Sequence, residues 1–187
     1  FLGKSKPELK TWGGRRFDMP MLKVRSLVNG VPFPAWYRSG ASRYENYDHR
    51  YAVRWHDDLM DILSDHGAAP PMKLDDVARA VGLPGKIESH GSEVADLIAA
   101  GDRETVRRYC DGDCMNLTGI FYRWAYVTGA TDAEGYRLAV RDFAEHLDQN
   151  RETKPHFGSF LDAWPEGKLA LADECAPLPP KDWPSAR

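Results

Sequence analysis

RETVRRYCDGDCMNLTGIFYRW, residues 103–124, is the stretch on which the reading of the whole chain turns. Val106, Tyr109/Cys110, Leu117, Ile120/Phe121 and Trp124 recur at helical spacing, so it reads as a long helix with one buried stripe. Tyr109 and Asp113 are four apart and share a face. A carboxylate on a face with buried aromatics is costly to ionise without a basic neighbour or a metal, which makes Asp113 the first functional candidate. The plainer reading, an exposed aspartate beside a core tyrosine, stays open. Gly112 costs a helix about 1 kcal/mol against alanine and points to a close approach at that backbone. Asp111 reads as solvent-facing.

The chain has 187 residues, 42% of them hydrophobic, enough for one substantial core. The expected organisation is one domain over residues 1–163 and a tail over 164–187, which holds five prolines. No apolar run reaches membrane-spanning length and no signal-peptide pattern is present. Three cysteines without paired C-x-x-C spacing argue against a disulfide framework or a structural zinc, and for a reducing, cytoplasmic setting. Residues 1–56 carry 11 Lys+Arg against 4 Asp+Glu, while the remainder carries 14 against 24. The basic N-terminal third is therefore where a polyanion should bind. The chain begins at Phe1 without a methionine, so a preceding segment is expected.

Leu9–Trp12 reads as a strand running into Gly13-Gly14, and Phe17–Val28 as a helix with Pro20 in its first turn and Asn29-Gly30 as its stop. Arg15, Arg16, Phe17 and Asp18 thus stand at a strand-to-helix junction, where α/β sheets place their ligands. Val31–Trp55 is a long excursion in which Trp36, Tyr37, Arg38, Arg43, Tyr44, Tyr47, Arg50, Tyr51, Arg54 and Trp55 interleave. Aromatic faces that stack on bases beside guanidinium groups make a single-strand contact surface; the alternative is that these rings cover the core. Helices follow over His56–His66 and around Leu74–Val81, then one capped by Ser92 and the long one capped by Asp102. A Thr131/Glu134 capping box opens the next, and Phe157–Trp164 adds a turn or two.

Gly14–Pro20, His56–Asp61, Leu83-Pro84-Gly85-Lys86 and Tyr109–Asn116 occur in that order, and together they resemble the predicted 3′-5′ exonuclease family related to the proofreading domain of family-B DNA polymerases. The resemblance runs from about Lys10 to Trp164 and is sharpest at Phe17-Asp18 and Tyr109-x-x-x-Asp113, which look like two motifs of DEDD-type exonucleases of the tyrosine subclass. It implies an α/β, ribonuclease-H-like fold with a mixed central sheet flanked by helices, its N-terminal strands partly outside this chain. It also implies a two-metal Mg²⁺ or Mn²⁺ site, with Asp18 and Asp113 as ligands and Tyr109 positioning the attacking water. Hard carboxylate oxygens suit those cations. The family's first motif, Asp-x-Glu, is expected upstream of Phe1, because Glu8 is the sole acid before Asp18. Gly13 stands where the family usually has asparagine.

The implied activity is 3′-5′ hydrolysis of single-stranded or frayed DNA ends. Arg15, Arg16, Phe17, Arg43, Tyr44, Arg54 and Asn116 are the candidate nucleic-acid contacts, and Asp18, Tyr109 and Asp113 the catalytic ones. Two other classes stay open. One is a nucleic-acid-binding module that keeps the nuclease fold without its site; the other is a scaffold subunit that docks a protein partner through its tail and the exposed Trp164 and Trp183.

Overall fold

The computed structural model describes residues 2–51, 55–87 and 94–164. Arg54, Ser92 and the tail with Trp183 lie outside the described residues. In chain order the elements are α1 (Leu2–Ser5), β1 (Leu9–Thr11), α2 (Asp18–Asn29), α3 (Pro34–Tyr37), β2 (His56–Asp58), α4 (Leu59–Leu63), α5 (Leu74–Val81), α6 (Val94–Ala99), α7 (Arg103–Val127), α8 (Ala133–Gln149) and α9 (Pro155–Ala163), with one 3₁₀ turn at Asp65–Gly67.

The long helix forms as its periodicity predicts, and Asp102 caps it by accepting from the Thr105 amide at 3.0 Å. Its stripe meets α5, α8 and α9 in one core of Leu59, Ala78, Leu83, Met115, Ile120, Tyr136, Leu147, Phe157 and Phe160. Cys110 is exposed rather than part of that stripe. The cap of α8 is Asp132, whose side chain accepts from the Gly135 amide at 2.8 Å, one residue beyond the expected Thr131. A carboxylate both takes the orphan amide and adds the charge a helix N-terminus favours. Trp164 packs against Phe143 (5.8 Å between centroids) and Phe160 (6.1 Å), so it completes the core instead of standing out for a partner.

Among the described residues the sheet is two parallel strands, Leu9 opposite His56 and Thr11 opposite Asp58, smaller than the mixed sheet expected. Polar His56-Asp57-Asp58 was expected to open a helix, yet it is a fully buried strand, with α4 starting only at Leu59. The reason is Asp58, 1% exposed. Its carboxylate accepts from the Gly13 and Arg15 amides, both at 2.8 Å, and from the Asp61 amide at 3.3 Å, capping α4 while clamping the turn after β1. Three backbone donors satisfy a charge that could not otherwise be buried.

That clamp sets the start of α2, which ends at Gly30 in the left-handed conformation as predicted. No residue of α2 is buried, however, and its apolar positions Met21, Leu22, Val24, Leu27 and Val28 all face out, Leu27 at 82% exposure. The excursion divides in two. Trp36 and Tyr47 are buried, stack at 5.5 Å and meet the His56 ring, so these rings build core; Tyr44 and Tyr51 stay exposed. No helix among the described residues is long and apolar enough to cross a membrane.

Candidate functional site

The site grows from the way residues 83–86 dock on α7. Leu83 packs where a Cβ on Gly119 would come within 2.7 Å of its Cδ2, so the helix must be side-chain-free at that point. Asn116, 2% exposed, then brackets Gly85: its Oδ1 accepts from the Gly85 amide at 3.1 Å and its Nδ2 donates to the Gly85 carbonyl at 3.0 Å. Asp75 accepts from the Lys86 amide at 2.6 Å, and Arg79 donates to the Lys86 carbonyl at 3.1 Å. Gly85 has φ +73°, and a Cβ there would lie 2.3 Å from the Asp75 carboxylate. Only glycine fits.

This scaffold delivers the Lys86 ammonium to the Tyr109 hydroxyl at 3.2 Å and holds it 5.1 Å from the ring centre. Burial works against the Lys86 charge, but the hydrogen bond to Tyr109 and the negative charge of Asp113 and Asp75 raise its pKa overall. Burial pushes the Asp113 carboxyl up, and the Tyr109 hydroxyl and Lys86 draw it only partly back. Lys86, Tyr109, Gly112 and Asp113 line a narrow cleft of about 30 Å³ together with Arg108 and His156, room for about one or two water-sized groups. Gly112 has nothing within 4 Å of a built Cβ, so no protein group approaches it as the sequence suggested; its bare side faces open space.

Asp111 is the second partner that sequence reasoning missed. It was expected in solvent, yet it is half-buried and bonded to His156 of α9 at 2.9 Å. The pair lies 45 positions apart in sequence, and no local pattern announces it.

The structure sorts the remaining candidates. Asp18 is exposed at the first residue of α2; burial first, then the charges of Asp113 and Asp111 and last that of Asp18, raise the Cys110 thiol pKa. Arg16 and Phe17 are exposed beside it. Arg15 is turned inward, its guanidinium donating to the carbonyls of Asp48 (3.3 Å), His49 (3.0 Å) and His56 (3.0 Å), a structural role in place of a phosphate contact. Asn116 is likewise enclosed by Gly85 and Gly112. Arg43 stacks over Tyr44 at the surface.

A polar network behind the clamp was also missed. Asp61 takes a two-pronged ion pair from Arg50 and a 3.0 Å bond from His66, which hold its carboxyl well below the usual range. Burial, reinforced by the Arg15 charge, pushes His56 down to about 4. These groups fix the excursion to the sheet.

The chain belongs to the family of predicted 3′-5′ exonucleases related to the exonuclease domain of PolB, whose model matches residues 1–164. No curated protein and no solved structure matches it.

Proposed function

We propose that this chain is the body of a metal-dependent 3′-5′ exonuclease, ribonuclease-H-like in design, that removes nucleotides from single-stranded or frayed DNA 3′ ends. The observation that carries the reading is the Lys86–Tyr109–Asp113 set in its narrow cleft, within a chain of this family. Tyr109 is oriented from one side by the ammonium of Lys86, so its hydroxyl is fixed where a water in the cleft can be held for attack on phosphorus. Lys86 places fixed positive charge where a phosphate would gain negative charge.

A magnesium or manganese pair would need several hard oxygen ligands converging on it. Among the described residues no three His, Cys, Asp or Glu side chains converge on one point. Asp113 and Asp18 are two carboxylates, fewer than a magnesium or manganese pair requires, so the described donor set does not fit two metals. An active centre needs at least two further carboxylates. The second reading is a nucleic-acid-binding module that keeps the family's framework, and Gly13, where the family usually has asparagine, is what motivates it.

One experiment separates them. A 3′-labelled oligonucleotide is incubated with the full-length protein, including the segment expected to precede Phe1, and fresh Mn²⁺, and melting curves with and without Mn²⁺ are recorded for that protein and for its Asp18→Asn and Asp113→Asn variants. The exonuclease reading expects digestion that Asp113→Asn abolishes and a Mn²⁺-dependent rise in Tm that both variants reduce. Oligonucleotide binding with neither digestion nor a Mn²⁺ response, equal in all three proteins, refutes it in favour of the binding module.

A further inference from the structure

Three rings of the excursion and His66 beyond α4 form a continuous ladder in which Tyr44 and Tyr51 are exposed and the two histidines half-buried. The Tyr44 and His49 centroids are 5.3 Å apart, His49 and Tyr51 6.2 Å, and Tyr51 and His66 4.8 Å, each ring turned steeply against the next (84°, 71° and 80°). Cations stand at both ends. The Arg43 guanidinium lies 4.6 Å above the Tyr44 ring. At the other end an Arg16 Nη atom comes 3.9 Å from the point where a Cβ on Gly67, the residue after His66, would stand. Tyr44 is 53% and Tyr51 62% exposed, although large aromatic rings are among the residues folding favours burying.

The acids in this region face other partners. Glu45 accepts from the Ala41 and Ser42 amides, Asp48 from Lys23 and Trp36, and Asp61 from Arg50 and His66. Asp65, exposed, is the remaining acid beside His66. The strip is therefore aromatic along its length, with Arg43 at one end and Arg16 beside the exposed Asp65 at the other. At the Arg16 end it adjoins Phe17 and Asp18, the next two residues of the chain and likewise exposed.

We infer that this ladder is a stacking track for single-stranded nucleic acid, with unpaired bases lying on Tyr44 and Tyr51 while Arg43 and Arg16 take the phosphates, feeding a 3′ end toward Asp18 and α7. Every base presents a π-face, so the track selects unpaired strands without selecting sequence, and a paired duplex cannot offer its base faces to it. The inference rests on the exonuclease reading for its substrate class and adds to its candidate contacts Arg16, Arg43 and Tyr44 the ring of Tyr51 and the order in which a strand would meet them.

The test is fluorescence anisotropy of a 5′-labelled oligo-dT in EDTA, which suppresses cleavage, on wild type, Tyr44→Ala, Tyr51→Ala and Tyr51→Phe. Each alanine is expected to weaken binding about five- to a hundredfold, the range of one lost base stack, while phenylalanine stays within about twofold. An abasic oligomer of equal length should bind wild type and Tyr51→Ala alike. Arg43→Gln should lower the slope of log affinity on log salt by about 0.7, one single-strand phosphate contact. Both tyrosines are exposed, so melting temperatures should match and report that the variants fold. Unchanged affinity in both alanine variants, or equal loss in Tyr51→Phe and Tyr51→Ala, overturns the proposal, as it would if the rings served a protein partner instead. The two readings fail separately. Cleavage by wild type with unchanged binding in the tyrosine variants removes the track and leaves the exonuclease; tyrosine-dependent binding without cleavage in Mn²⁺ removes the exonuclease and leaves the track.

Discussion

Replacing Asn116 tests whether the docking of residues 83–86 is what holds the site together. In Asn116→Ala the amide and carbonyl of Gly85 lose their partners inside the fold, whereas the Gly112 carbonyl keeps its own helical bond. Each orphaned buried group costs about 1–3 kcal/mol, so the variant should lose about 2–6 kcal/mol, a large part of a typical domain's stability. Asn116→Asp is nearly the same shape, yet it should be worse. It can still accept from Gly85 N–H, but it turns a second carboxylate oxygen against the carbonyls of Gly85 and Gly112, at a position 2% exposed. Burying that charge without a donor should take the loss beyond that of the alanine variant, to about 4 kcal/mol or more. Equilibrium urea unfolding read by tryptophan fluorescence and by circular dichroism gives both numbers, provided the two probes coincide and the slope is unchanged. An Asp variant as stable as the Ala variant would falsify the argument. If Asn116 instead contacted nucleic acid, both variants would keep wild-type stability and lose only oligonucleotide affinity.

The remaining expectations follow from burial and space. His56 titrates near 4 in the fold against about 6.5 unfolded, so its contribution is whole above pH 6.5 and is lost as pH falls toward 4, by up to about 3 kcal/mol. Melting curves should show this acid loss flattened in His56→Phe, and an equal slope in both proteins would contradict it. Asp113 has the opposite sign among carboxylates: burial raises its pKa, so its ionised form is a cost to the metal-free fold above that pKa and relief comes on acidification. Asp113→Asn should therefore melt no lower than wild type at pH 7, with any advantage fading as pH falls toward the unfolded carboxyl value of about 4, while digestion is lost; a clear drop in Tm at pH 7 would count against it. On the same helix, Gly112→Ala meets open space and should add about 0.5–1 kcal/mol to stability. Gly119→Ala meets Leu83 and should remove about 1–3 kcal/mol. Chemical denaturation of the pair should show opposite signs.

Periodicity was enough to read α7, α8 and α9, because apolar residues at helical spacing must find one another to leave water. The same reasoning placed the start of α2 and its glycine stop, but not the fate of its apolar face, which depends on what else packs against it. β2 was illegible for a different reason. His56-Asp57-Asp58 has nothing strand-like in composition, and its burial rests on amides donated by Gly13, Arg15 and Asp61, a long-range arrangement no window of sequence contains. Tyr109 and Asp113 could be found because they are neighbours on one helix. Lys86 as the group that orients Tyr109, and His156 as the partner of Asp111, could not, since each arrives from a separate element. Arg15 and Asn116 show the reverse error, in which residue types suited to phosphates and bases are consumed by backbone carbonyls and amides of the fold itself.

Joining Lys10 to Asp57 across the strand pair closes a loop of 47 positions, whereas α7, α8 and α9 meet their neighbours through short turns. Closing the longer loop carries the larger entropic barrier, so the helical half should gain its structure first and the strands should zip last. Asp18 lies on the late-forming side and Tyr109 with Asp113 on the early one. A refolding chain should therefore pass through a species whose α7 amides are already shielded from exchange while those of Leu9–Thr11 still trade hydrogen with solvent. In that species the tyrosine and its aspartate are in place, and the other acid has yet to arrive.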